Sequence, residues 1–173
     1  MSEPEVWLRG RLHGYHPLVM PVAHSLLQVR EDLARLERTV TPEQLWARPG
    51  GAASIGFHIR HTGGALDRLL TYARGEALAA PQLVFLAGEE GPGDPPVSLS
   101  TLVIGVNAVI DRSLAQLRAA DPDRLLQPRH VGRGRLPSTV LGLLVHAAEH
   151  STRHMGQAIT TARILSKSGG AGV

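Results

Sequence analysis

Apolar residues recur at steps of three and four over four long segments of this chain, and this pattern constrains the fold more than any other feature. Such spacing places side chains along one face of an α-helix. The first segment carries Val22, Leu26, Val29, Leu33, Leu36 and Val40. The other three lie within residues 54–74, 98–120 and 137–165. Because no stretch shows the period-two alternation of a strand, the sequence predicts an all-α four-helix bundle.

The ends of the four segments carry the residues that commonly begin and end helices. Proline fits the first turn, serine caps the N-terminus, and glycine stops the C-terminus. These residues are Pro17 or Pro21 for the first helix, Ser54 and Gly75 for the second, Ser98 or Ser100 for the third, and Pro137 for the fourth.

The segments between and beyond the helices suggest how the chain is organised. Residues 77–96, between the second and third helices, are rich in Gly and Pro and form a connection longer than a simple bundle needs, so we expect a lid, a crossover or a mobile segment. Residues 129–135 read as a basic, glycine-rich loop. We expect one domain over residues 1–165, with residues 1–15 as an N-terminal arm, and a flexible tail over residues 166–173.

Composition excludes several classes of protein. The 173 residues include no cysteine, which excludes disulfides, thiolate metal sites and a cysteine nucleophile. Any metal ion must therefore be held by His, Asp or Glu. No apolar run approaches the roughly 18 to 20 residues of a membrane span, and the N-terminus lacks a secretory apolar core. We therefore expect a cytoplasmic protein with no membrane partner.

Charge and aromatic content argue against nucleic-acid binding. The net charge is only +3, and Phe, Trp and Tyr make up 3% of the residues without clustering, so no base-stacking surface is expected. The arginines are interleaved with acids, which is typical of a solvated surface. One basic cluster, formed by Arg129, Arg133 and Arg135, leaves nucleic-acid binding as an alternative that salt-dependent binding to duplex would support.

Three of the nine histidines follow one another at four-residue steps on the last helix, as His146, His150 and His154. Histidines four apart lie one turn above each other and can bind one ion. On a helical wheel His154 lies roughly 80–90° from the centre of the apolar face and His150 about 125°, whereas His146, at about 165°, faces solvent. The pair able to face a crevice between helices is therefore His150 and His154.

The second helix offers a further ligand for such an ion. His61 lies about 120° from the centre of its apolar face, on the same rotational side as His150 and His154. His58, about 60° away, is nearer the core edge and would replace His61 if the helix were rotated. Bundles build metal sites with ligands from facing helices. The HExxH order of zincin proteases is absent, and Glu149, which precedes His150, projects outward as a solvated acid.

Both histidine segments resemble the DinB-like superfamily. Residues 54–70, Ser-Ile-Gly-Phe-His-Ile-Arg-His-Thr-Gly-Gly-Ala-Leu-Asp-Arg-Leu-Leu, resemble its second helix. Residues 144–157, in which a His-x-x-x-His pair leads into Gly-Gln, resemble its closing helix. The resemblance extends over most of the chain. It implies a bundle that holds one divalent metal ion through three histidines, which by position are His61, His150 and His154.

The resemblance also implies an activity. Characterised members of the family that this chain resembles include thiol-dependent S-transferases and isomerases, which use bacillithiol, mycothiol or glutathione. We therefore expect a divalent ion (Zn, Ni or Fe), a low-molecular-weight thiol and a small-molecule substrate, in a metal-dependent transferase or a related hydrolase or isomerase. Arg60, Arg133 or Arg153 would hold the carboxylates of the thiol. The sequence assigns metal ligands but no catalytic residue.

Two further expectations accompany this interpretation. Members of the family often dimerise, so a homodimer is expected. The alternative to an enzyme is a metal-stabilised bundle without chemistry, acting through dimerisation or as a stress-response accessory protein. Chelation would lower its melting temperature, but it would accelerate no reaction between a thiol and an electrophile.

Overall fold

The computed structural model describes residues 3–168, which form six α-helices and one two-stranded antiparallel sheet. Their bounds are α1 (Met20–Glu37), α2 (Pro42–Leu45), α3 (Ile55–Arg74), α4 (Ala80–Ala87), α5 (Leu99–Arg118), β1 (Pro128–Val131), β2 (Leu136–Thr139) and α6 (Val140–Ser168). In the sheet Pro128 pairs with Thr139, and Val131 pairs with Leu136.

The four long helices, α1, α3, α5 and α6, form the predicted bundle, which confirms the all-α class. Both α1 and α3 pack against α5 and α6, so α1 and α3 occupy opposite corners. Apolar side chains from all four helices make one core, because each helix turns its periodic apolar face inward. Fully buried members of this core include Leu26, Leu33, Ile59, Leu66, Ile110 and Leu144.

Local capping explains where three of the long helices begin. The Ser54 side chain accepts a hydrogen bond from the Phe57 N–H, and the Ser98 side chain accepts one from Thr101. Gly75 ends α3 in the left-handed conformation that glycine adopts without strain, at φ 85°. Helix α6 begins at Val140, three residues after the predicted start, because Pro137 belongs to β2 and the Thr139 hydroxyl accepts from the Gly142 N–H.

Two elements depart from the sequence interpretation. The long connection contains helix α4, which periodicity missed because each of its eight residues is at least partly exposed. The basic segment 129–135 forms part of a hairpin rather than a simple loop. Its strands have four residues each, too few to display an alternating pattern, and Gly132 and Arg135 adopt positive φ values in the turn.

The N-terminal arm packs on α1, and the last helix extends into the predicted tail. Within residues 3–15, a turn at Val6–Arg9 packs against α1, where the Val6 N–H donates to Gln28 and Arg9 pairs with Glu31. Helix α6 continues to Ser168, into the segment predicted as a tail, and residues 169–173 lie outside the described residues. Within residues 3–168, every helix is too short or too polar to cross a membrane.

Candidate metal centre

Helices α3 and α6 lie side by side and bring His61, His150 and His154 together. One ligand nitrogen from each of these three side chains lies within 4.8 Å of the other two. The Nε2 atoms of His61 and His150 are 2.9 Å apart, and the ring of His154 lies 4.5 Å from each of the other two rings, between centroids. All three side chains are partly exposed. The group could therefore hold a metal ion that solvent or a small molecule can reach.

His58 lies beside this group but deeper in the bundle. It is buried at 6% exposure, and its Nδ1 atom is 3.0 Å from Nδ1 of His154. Burial, and then the charge of His61, lower the pKa of His58. The compact three-histidine group contains His61 rather than His58, and His58 instead contacts the ring of His154 from the core side. The identity of the ligands remains a prediction.

The protonation of the α6 histidines suits metal binding. Burial is the main cause that lowers the pKa of both His150 and His154 to about 4, and the charge of His61 is the next. Both imidazoles are therefore neutral at pH 7. Neutral imidazole is the form that binds a metal ion, so no proton has to be displaced from a charged ring. The donor set thus fits a divalent ion that prefers nitrogen ligands.

Glu89 is the residue of this site that sequence reasoning missed. It follows α4 and is only 3% exposed. The His61 Nδ1–H donates to its Oε2 atom at 2.7 Å, and Arg68 Nη1 donates to Oε1 at 2.5 Å. Burial alone would raise the pKa of Glu89, but the bonds from His61 and Arg68 outweigh it, so the net pKa lies below its usual value. A carboxylate in this position fixes the His61 tautomer with Nε2 free toward the other histidines.

A glycine allows this carboxylate to approach α3. A Cβ atom on Gly64 would lie 2.1 Å from Oε1 of Glu89 and 2.6 Å from the Phe85 ring. Neither contact is tolerable, so any larger residue would displace Glu89. One signal in the sequence was available: Arg68 lies seven positions after His61, on the same helix face, and a buried arginine needs an acidic or carbonyl partner.

Arg60 holds the segment that carries Glu89. Its guanidinium donates to the carbonyl oxygens of Gly88, at 2.9 Å, and of Gly91. It also lies over the Trp46 ring, 5.0 Å from the centroid, and the Trp46 N–H donates to Val97. Arg60 is buried at 9% exposure. The Arg60 guanidinium, a predicted candidate for binding the carboxylates of a thiol, is therefore already engaged within the protein.

On the outer side of the site, Arg153 lies next to His150. Its Nη2 atom donates to Nδ1 of His150 at 3.2 Å and to Glu149 at 3.0 Å. Because Nδ1 of the neutral His150 ring accepts this hydrogen bond, the ring carries its hydrogen on Nε2, which donates to Nε2 of His61 in the metal-free protein. His146 and Glu149 are exposed, as the helical wheel predicts, and lie 3.4 Å apart. Arg153 therefore places a positive charge at the solvent-exposed edge of the site.

The other basic residues singled out from the sequence lie on the hairpin. Arg129 donates to the carbonyl of Ala73 at 2.8 Å and so satisfies the C-terminal end of α3. Arg135 lies 3.3 Å from Nδ1 of His130, and Arg133 is exposed in the turn. The cluster that suggested a nucleic-acid alternative is thus divided between a helix-capping contact and the solvent-exposed turn.

Comparisons with known proteins agree with this architecture. The sequence model of the DinB superfamily matches residues 25–158, about three-quarters of the chain. A crystal structure described as a candidate member of the DinB family from Exiguobacterium sibiricum 255-15 superimposes with a TM-score of 0.68 at 17% identity, covering 88% of this chain and 94% of its own. At that identity the likeness establishes a shared fold. A search of curated proteins found no match.

Proposed function

The chain belongs to the DinB superfamily, and we propose that it binds one divalent metal ion through His61, His150 and His154 and acts as a metal-dependent transferase that uses a low-molecular-weight thiol, or as a related hydrolase or isomerase. The observation that carries this proposal is the convergence of three imidazole nitrogens, within 4.8 Å of one another, on a partly exposed face of the bundle. Neutral rings and an already oriented His61 support it further.

The donor set narrows the choice of metal. Three imidazoles without a carboxylate among the ligands suit Zn, Ni or Fe better than Mg or Ca, which prefer oxygen. Three protein ligands also leave a coordination position for another molecule. When bound there, such an ion lowers the pKa of a coordinated water or thiol, so that a nucleophile forms at neutral pH.

The residues around the histidines would orient a metal ligand and bind the thiol. Glu89 would keep His61 in the tautomer that offers Nε2, and Arg68 would keep Glu89 ionised. Arg153 is the best-placed cation to bind a carboxylate of a low-molecular-weight thiol, because it is exposed and beside His150. The related hydrolase and isomerase activities would use the same group with a different small-molecule substrate.

A screen of thiols against electrophiles tests the activity. We expect a thiol-transfer rate in the Zn-, Ni- or Fe-loaded protein that disappears in His150→Ala and in His154→Ala. Arg153→Gln should raise the KM for a carboxylated thiol while leaving the KM for an uncharged thiol unchanged. Metal binding without any rate above the uncatalysed one would favour the alternative, a metal-stabilised bundle without chemistry.

Two proposals concern the assembly and location of the protein, and the family resemblance supports the first of them. We infer a homodimer, which sedimentation would detect as twice the mass of the 18.5 kDa chain. We also infer a cytoplasmic location, which fractionation of cells would test.

A further inference from the structure

A large cavity lies between α3, α4 and α5, next to the metal centre but separate from it. Its volume is about 630 Å³. Arg68, the ion-pair partner of Glu89, lines the cavity. Among the described residues 3–168, His61, His150 and His154 are not part of the lining. Protein interiors contain few voids larger than a water molecule, and small-ligand sites range over roughly 300–1,000 Å³. The cavity therefore has the size of a ligand site rather than of a packing defect.

The way α4 is attached explains why the cavity is open. At its start Gln82 donates to Asp67 at 2.6 Å and to Thr71 at 2.9 Å. Just beyond its end Glu89 is held by α3. Polar contacts thus fix both ends, while Phe85 lies close to Gly64 on α3 and the apolar side chains between the two ends are 43–73% exposed. Phe85 lines the cavity and is still 46% exposed.

The lining combines apolar walls with a positive charge. The walls are formed by Val84, Phe85, Val97, Leu102, Val106 and Val109. The charged residues of the described lining are three arginines and one aspartate, namely Arg60, Arg68, Arg112 and Asp67. An apolar interior with excess positive charge at its edge is complementary to an amphipathic anion.

Arg112 is the arginine available to such a ligand. The guanidiniums of Arg60 and Arg68 are held by backbone carbonyls and by Glu89. The side chain of Arg112 is 63% exposed, and its contact with Asp67 is long, at 3.5 Å. Its Nη1 atom also donates to the carbonyl of Ala108 on the same helix at 3.2 Å. Because neither contact buries the guanidinium, it can turn toward a carboxylate at the cavity mouth and exchange these contacts for a charge-assisted bond.

We propose that this cavity binds a small amphipathic carboxylate, with its apolar chain or ring between α4 and α5 and its carboxylate at Arg112. Decanoate is a suitable probe, and decanol and decyltrimethylammonium are matched probes that replace the anion with a neutral group and a cation. Calorimetric titration should rank decanoate as the tightest. Equal binding of the three probes would overturn the charge assignment, and no decanoate binding at millimolar concentration would overturn the site.

A cavity-filling variant locates the binding. Gly105 lines the cavity, and a Cβ atom on it would meet no atom within 4 Å, so Gly105→Leu adds bulk to open space and also favours the helix. This variant should bind decanoate at least about tenfold more weakly, equivalent to about 1.4 kcal/mol. Ala115→Leu, on an exposed position of the same helix, is the control and should bind like the wild type. Equal decanoate affinity in both variants would contradict the proposal.

The charge and the metal are tested separately. Arg112→Gln should weaken decanoate by about tenfold, as expected for one charge-assisted bond, and leave decanol unchanged. All titrations are run on EDTA-treated protein and repeated on the His150→Ala, His154→Ala variant, because a carboxylate can also coordinate a bound ion. Decanoate binding that depends on these histidines would overturn the cavity site without affecting the proposed metal centre. Loss of a dimer in Gly105→Leu would assign this surface to a second copy and overturn the ligand site.

Discussion

His61 and Glu89 are joined by a hydrogen bond of 2.7 Å between Nδ1 and Oε2, although 28 positions separate them in the sequence. Carboxylates in this position raise the basicity of a metal-binding histidine and fix its orientation. The bond therefore links the long connection after α3 to the candidate metal centre. It also gives a partner to a buried acid in a segment that is otherwise largely exposed.

Replacing this acid tests its contribution. Glu89→Gln keeps a hydrogen-bond acceptor for His61 but loses the negative charge, so we expect Zn²⁺ affinity to fall by roughly 10- to 100-fold. Competition with a chromophoric chelator measures the change. Glu90→Gln is the control, because the neighbouring Glu90 is exposed. A similar loss in both variants would show that Glu89 has no special role.

Two glycine substitutions test the close approach of Glu89 to α3. Gly64→Ala would push a methyl group against Glu89 and Phe85, and should lower the free energy of unfolding by about 1–3 kcal/mol. Gly105→Ala, in open space on α5, should raise it by up to about 1 kcal/mol through helix propensity. Urea denaturation measures both. Equal effects of the two substitutions would contradict the packing described here.

The histidines also predict a pH dependence for the metal-free protein. The pKa values of His150 and His154 are about 4 in the folded protein, against about 6.5 in an unfolded chain. Between these values the unfolded chain binds more protons, so stability is complete above pH 6.5 and falls as the pH is lowered toward 4. The slope is at most about 1.4 kcal/mol per pH unit for each histidine.

Urea denaturation at pH 7 and pH 5 in the presence of EDTA measures this loss. The His150→Gln, His154→Gln variant removes the titrating groups, so its stability should vary less over the same interval. If the variant lost as much stability as the wild type, other groups would be responsible.

Metal binding should also stabilise the fold. At a Zn²⁺ concentration 100 times the Kd, the gain is about 2.7 kcal/mol, which corresponds to a Tm increase of roughly 5 to 11 °C for a chain of this size. Thermal denaturation followed by circular dichroism measures the shift, and excess EDTA should reverse it. An equal shift in the His150→Ala, His154→Ala variant would place the binding elsewhere.

Much of the fold follows from patterns within single helices. The steps of three and four through residues such as Leu26 and Leu33 give the buried faces, and Ser54 and Gly75 mark both ends of α3 correctly. The helical wheel also placed His61 on the side of its helix that faces α6. These features are local, because the geometry of one helix decides them.

The remaining features depend on contacts between distant segments. Helix α4 carries its apolar residues at a partly open cavity, so its sequence lacks an amphipathic period. The hairpin is held by pairing between two strands that are each too short to be recognised. Glu89 and Glu90 are adjacent acids in one connection, and only the packing of α4 on α3 determines that Glu89 turns inward.

The central claim is that His61, His150 and His154 together bind one divalent ion. The most direct test is the metal content, by mass spectrometry, of protein purified without a His tag, compared with that of the His150→Ala, His154→Ala variant. We predict about one divalent ion per wild-type chain and almost none in the variant. A wild-type protein that takes up no ion even after incubation with Zn²⁺ and Ni²⁺, or a variant that keeps one ion per chain, would contradict this account.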